Sequence, residues 1–80
     1  MNNLEKFNKI ISETLNIKSM EKLKDDMGPD EIESWDSLAH VELISGFEDN
    51  FGISIDVVDV SRMYTIGDIK RILKKYGIEI

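Results

Sequence analysis

Eighty residues with a net charge of −6 and no cysteine leave room for one small domain held by packing alone, without disulfides or cysteine-ligated zinc. Eleven of the sixteen acids lie between Asp25 and Asp59, a stretch with no lysine or arginine; such a block repels nucleic-acid phosphates and favours basic protein partners. The N-terminal residues carry no apolar leader and no segment reaches transmembrane length, so a cytoplasmic protein without membrane contact is expected. A monomer is also expected.

The first segment reads as a helix. Leu4, Phe7, Ile10, Ile11 and Leu15 keep the three-and-four spacing of one helical face. Asn2 or Asn3 can cap its start, and the period is lost from Asn16 onward. Residues 16 to 35 form a long connection containing the only proline, in Gly28-Pro29. Twenty residues without structure are uncommon in a compact domain. Met20 and Leu23 are spaced to pin the connection as a short turn of helix, and Ile32 can pin it further along.

The second helix is expected from a cap at Asp36 to about Asn50. Leu43, Ile44, Phe47 and Phe51 form its core stripe, while Leu38 and Val41 share another face with Glu42, Ser45 and Glu48. Phe51 to Val57 alternates like a strand. A lone strand has no pairing partner here, so an extended loop is expected, followed by a short helix from Val57 to Met63 capped by Asp56. The last helix opens on Thr65-Ile66-Gly67-Asp68, a capping-box pattern. Ile66, Ile69, Ile72, Leu73 and Tyr76 make its buried stripe. Lys70, Arg71, Lys74 and Lys75 lie toward the negative end of its dipole, and Gly77 can end it. The expected fold is all-α: a four-helix bundle over residues 1–80, with a long first loop and a short third helix.

Ser37 stands directly after the presumed cap. Its hydroxyl therefore sits in the first helical turn, where free N–H groups point outward. A phosphate esterified there is favoured by roughly 0.3–1 kcal/mol. A plain helix-start serine would be the commoner explanation without the neighbouring residues.

Those neighbours are Trp35-Asp36-Ser37-Leu38-Ala39-His40-Val41-Glu42-Leu43-Ile44, then Phe47-Glu48-Asp49-Asn50-Phe51-Gly52-Ile53. This run resembles the central helix of the acyl carrier proteins. Length, acidity, helix order, the long first loop and the start of the last helix resemble that family too. The resemblance implies that a phosphopantetheinyl transferase (holo-acyl-carrier-protein synthase) attaches 4'-phosphopantetheine to Ser37. Acyl or aminoacyl groups then ride as thioesters on the arm's thiol, so the chain is a carrier and not an enzyme. It also implies that loading ligases and acyl- or condensing transferases dock on Asp36, Leu38, Val41, Glu42, Glu48 and Asp49. The plain alternative for each acid is a solvated surface carboxylate.

Three positions depart from the carriers of fatty-acid synthesis: Ala39 stands where an acid is usual, Ser45 replaces a larger apolar residue, and Trp35 precedes the aspartate. They suggest a dedicated pathway such as polyketide-like, aminoacyl or surface-glycan assembly. The Gly-rich lead of peptidyl carriers is absent. Ser37 and His40 are three apart, but a hydrolase would also need an oxyanion hole and a pocket, for which the sequence has no source. His40 is expected to pack near Trp35 across the helix start. No run matches an EF-hand loop, and weak divalent-cation binding by the acids is expected to stabilise the fold without a dedicated metal site. An unmodified acidic interaction module is the alternative from another functional class.

Overall fold

The computed structural model describes residues 2–80. Helix α1 (Asn3–Leu15) starts where the Asn2 side chain accepts the Glu5 N–H at 2.8 Å, and ends at Asn16 in the left-handed region, φ 55°. It buries Phe7, Ile10, Ile11 and Leu15. Leu4, expected in the same stripe, is 46% exposed. Its angular position is right, but it lies in the first turn and takes no part in the core.

The long connection is organised rather than loose. Met20–Lys22 form one turn of 3-10 helix. Ile32 is buried, and Met20, Leu23 and Met27 pack partly buried against the core. The segment from Asp25 to Gly28 lies across the start of the last helix, α4 (Ile66–Lys75). There the Ile66 N–H donates to the Met27 carbonyl at 2.9 Å and the Gly67 N–H to the Asp25 carbonyl at 2.8 Å. The Thr65 hydroxyl accepts the Asp68 N–H at 3.1 Å. The N–H groups that a helix start leaves unpaired are thus met from the loop and from the cap together. The Asp68 carboxylate accepts from the Tyr64 N–H at 3.2 Å, so the expected capping box closes one residue earlier than the standard form.

Helix α2 (Ser37–Phe51) is capped by Asp36, whose carboxylate accepts the Ala39 N–H at 2.8 Å, and stops at Gly52 with φ 64°. Ala39, Leu43 and Phe47 are buried, with Ile44 and Phe51 partly so. The Phe7 and Phe47 rings stack with centroids 5.7 Å apart, joining α1 to α2. Ile11, Leu15, Leu43, Ile66, Ile69 and Leu73 complete the fully enclosed centre.

Residues 52–56 form no strand. In place of a strand neighbour, the Glu48 carboxylate accepts the Ile55 N–H at 2.8 Å. Helix α3 (Val57–Val60) is capped by Asp56 as expected, but it is one turn long and does not reach Met63. The Ser61 hydroxyl donates to the Val58 carbonyl at 2.7 Å, and the chain then turns to bring Thr65 to its capping position. Helix α4 buries Ile66, Ile69, Ile72 and Leu73. Tyr76 is half-buried. Beyond it Gly77, φ 88°, closes the helix, with N–H bonds from Gly77 to the Lys74 carbonyl and from Ile78 to the Leu73 carbonyl, the Schellman arrangement. The all-α, four-helix architecture with a long first loop and a short third helix is as expected.

Candidate functional site

Ser37 occupies the first position of α2 and is exposed. Asp36 positions it twice over. Its carboxylate accepts from Ala39, and its carbonyl accepts the His40 N–H at 2.9 Å. The remaining first-turn N–H groups, those of Ser37 and Leu38, lie at the positive end of the helix dipole. A hydroxyl here is open to another protein's active site and suited to carrying a phosphate.

Beside Ser37 runs an open groove of ≈ 610 Å³ between α2 and α3. Trp35 and His40 line it with Val57, Val60 and Ser61 and with Met63 and Tyr64. Trp35 is 3% exposed and belongs to both groove and core. Its indole N–H donates to His40 Nδ1 at 3.0 Å. Since Nδ1 accepts, the neutral ring carries its proton on Nε2, which donates to the Val60 carbonyl at 2.9 Å. Both ring nitrogens are therefore engaged away from Ser37. His40 has no lone pair free to act as its base, so the Ser–His pairing a hydrolase needs is absent. The expected packing of His40 near Trp35 takes the form of nearly parallel rings, 18° apart, joined edge to edge by that hydrogen bond.

The other singled-out residues of α2 fall into two groups. Leu38 and Val41 are 69% and 61% exposed, with Glu42 and Asp49 beside them in water. These four are free of the core, two apolar residues followed along the helix by two acids. Asp36 and Glu48 have structural work as well: one caps α2, and the other holds the loop before α3 through Ile55. Helix α3 adds to the exposed apolar surface, which no local sequence pattern had indicated. Val57 is 81%, Val58 52% and Tyr64 67% exposed, so exposed apolar residues stand in and just after α3, and Val57 and Tyr64 line the groove.

Ala39, a departure from the carriers of fatty-acid synthesis, is 7% exposed. A carboxylate there would lose much of its water, so the small apolar residue suits this core. Ser45 lies exposed on the outer face of α2.

Sequence reasoning also missed a polar cluster behind the groove. Asp59, on α3, is 4% exposed. It accepts from the Tyr76 hydroxyl at 2.6 Å and from the Lys75 ammonium at 3.0 Å. These bonds, led by the Tyr76 hydroxyl, hold the Asp59 carboxyl below its ordinary value against the upward push of burial. Donating to that carboxylate raises both Lys75 and Tyr76. The Tyr76 oxygen also accepts the Asp56 N–H at 2.9 Å, so the side chain at the C-cap of α4 holds both the cap and the body of α3. An acid among three valines was the available signal, but nothing in the sequence named its partners. Among the described residues no cluster of three or more histidine or acidic side chains is placed to hold a metal, and no helix is long and apolar enough to cross a membrane.

No family model matches the chain. The chain is similar to the acyl carrier protein of Thermotoga maritima, with 36% identity over 75 residues covering 88% of this chain and 85% of that protein. It is also similar to a solved structure from Mycobacterium tuberculosis that is described as an acyl carrier protein. That match has a TM-score of 0.78 at 25% identity and covers 90% of this chain and 95% of the other.

Proposed function

Because this chain belongs to the acyl carrier protein family, and is therefore a carrier and not an enzyme, we propose that Ser37 is the residue that takes the 4'-phosphopantetheine arm. The observation that carries the reading is the position of Ser37: exposed, first in α2, and at the mouth of an open, largely apolar groove. These residues fit the group. A phosphodiester at Ser37 Oγ faces the first-turn N–H groups, and the groove offers apolar surface to the arm and its cargo. In the loading reaction the Ser37 hydroxyl gives up its proton and forms one new phosphodiester bond, while the pyrophosphate of coenzyme A breaks and adenosine 3',5'-bisphosphate leaves. Bound there, the arm supplies a thiol that holds acyl or aminoacyl groups as thioesters.

The chain's own residues provide the grip. Asp36, Glu42, Glu48 and Asp49 form the acidic part of the docking face, and Leu38 and Val41 supply its apolar centre. Basic surfaces of a phosphopantetheinyl transferase, a loading ligase and acyl- or condensing transferases fit it, steered by charge over about a Debye length. In this reading residues 1–80 are one carrier domain that works as a monomer in the cytoplasm. The departures at Trp35, Ala39 and Ser45 favour service in a dedicated pathway.

Incubation with coenzyme A and a broad-specificity phosphopantetheinyl transferase tests the reading by intact mass. The protein is expected to gain one phosphopantetheine and Ser37→Ala none. An unchanged mass for the native protein would leave an unmodified acidic docking module instead.

A further inference from the structure

We propose that His40 determines which cargo this carrier accepts: by tying Trp35 to α3 it keeps the floor of the groove closed, so that acyl groups lie along the open surface and long chains are not drawn into the core. The proposal rests on Ser37 bearing the arm.

Three observations support it. First, Trp35, His40 and Val60 form an unbroken hydrogen-bonded chain, 3.0 Å and then 2.9 Å, from the residue before the cap of α2 to the last residue of α3. All three line the groove, and Trp35 also belongs to the core. Trp35 and Met63 are the groove-lining residues that also belong to the core, and the His40 link ties the first of them to α3. Opening it would break both of these part-buried hydrogen bonds.

Second, α3 is not free to swing aside. On its other flank Lys75 of α4 and Tyr76 at the C-cap of α4 hold Asp59, and Tyr76 holds the Asp56 N–H. A single helical turn has little cohesion of its own, yet this one is bonded to α2 on one side and to α4 on the other. Third, the centre of the core that Trp35 joins is tightly enclosed. Phe7, Leu43 and Phe47 are all at or below 1% exposure, and the two phenyl rings stack. A close-packed interior admits no added chain without displacement.

The groove therefore suits a short, polar or aromatic acyl group. Such cargo can rest against the Tyr64 ring and the valines of α3, with the Ser61 hydroxyl near its polar atoms. The melting temperature of the loaded protein as a function of chain length tests this. Ser37 is loaded from coenzyme A analogues bearing butanoyl to tetradecanoyl groups through an amide, so that the cargo cannot hydrolyse, and loading is verified by intact mass. For the native protein the melting temperature is expected to change by less than about 3 °C across the series. Emission from Trp35, the sole tryptophan, should also stay constant with chain length. In His40→Leu, which keeps bulk but removes both bonds, and in Trp35→Phe, which removes the donor, the melting temperature should climb with chain length from whatever value the butanoyl form has. That slope separates a gate from a purely structural role, which would lower the whole series equally.

A native series rising by about 3 °C or more overturns the inference, as does a flat series in both variants, or in the one that folds. Absence of any mass gain at Ser37 overturns the carrier reading and this inference with it. A mass gain together with a steep native series overturns this inference alone.

Discussion

At the scale of single residues, Asp59 has the most to say about pH. Its carboxyl titrates below the ordinary value of 3.8 because Tyr76 and Lys75 bond the charged form. A depressed carboxyl stabilises the fold fully above its unfolded value and loses that contribution as pH falls through the folded one. Lys75 and Tyr76 are shifted upward from ordinary values of 10.5 and 10.0. Their contribution is present at neutral pH and is lost as pH rises through their folded values. Asp59→Asn should therefore be less stable than the native protein at pH 7, with the gap closing toward about pH 2. Urea midpoints measured at both pH values check this, and a gap of equal size at both would rule it out. The placement of Ser37 at a helix start and its cap by Asp36 were legible from local chemistry, because Asp36 bonds a residue three positions away. The Asp59 cluster was not, because its partners lie 16 and 17 residues along the chain and only the packing of α3 on α4 brings them together.

At the scale of elements, the long first connection behaves as part of helix α4. It supplies the carbonyls for Ile66 and Gly67, and Lys70 reaches back to the Asp25 carboxylate at 2.8 Å. Gly28 makes this close approach possible: a Cβ at that position would stand 2.2 Å from the Tyr64 carbonyl oxygen. Gly28→Ala should cost about 1–3 kcal/mol, as overpacking does, and lower the melting temperature by at least several degrees in a domain of this size. An unchanged melting curve would mean that the strap is dispensable. The helices themselves were readable from spacing and caps. Apolar residues at three-and-four intervals mark α1 and α4, and Asn2, Asp36, Asp56 and Thr65 each cap as their chemistry suggests. The extent of α3 was misjudged because Ser61 diverts its hydroxyl to Val58 and the chain must still reach Thr65. The exposure of Leu4 was missed because periodicity gives the angle of a residue around the helix, not whether anything packs over that turn.

At the scale of the whole molecule, the acidic block divides: Glu42, Glu48 and Asp49 lie on α2, while the others lie on the first connection, at the helix caps and on α3. Among the described residues the Glu42 carboxylate has no partner, whereas that of Glu48 is tied to Ile55. The two acids therefore predict different outcomes. Glu42→Lys should leave the melting temperature essentially unchanged but slow modification by the transferase several-fold at low salt. That loss should shrink as ionic strength rises and the Debye length falls from about 30 Å at 0.01 M to about 3 Å at 1 M. Glu48→Lys should lower both rate and stability. Equal rates for native protein and Glu42→Lys at low salt would remove that carboxylate from the docking face. By itself the sequence determined the helices, their caps, the acidic stretch and the place of Ser37, because each depends on contacts within a turn or two of chain. Only the tertiary structure decided how α3 is held, where the groove runs and what closes its floor. Those features depend on bonds between residues 16 to 20 apart along the chain, such as Lys75 to Asp59, His40 to Val60 and Asp56 to Tyr76, and no local pattern encodes which distant groups the packing of a core will bring within reach.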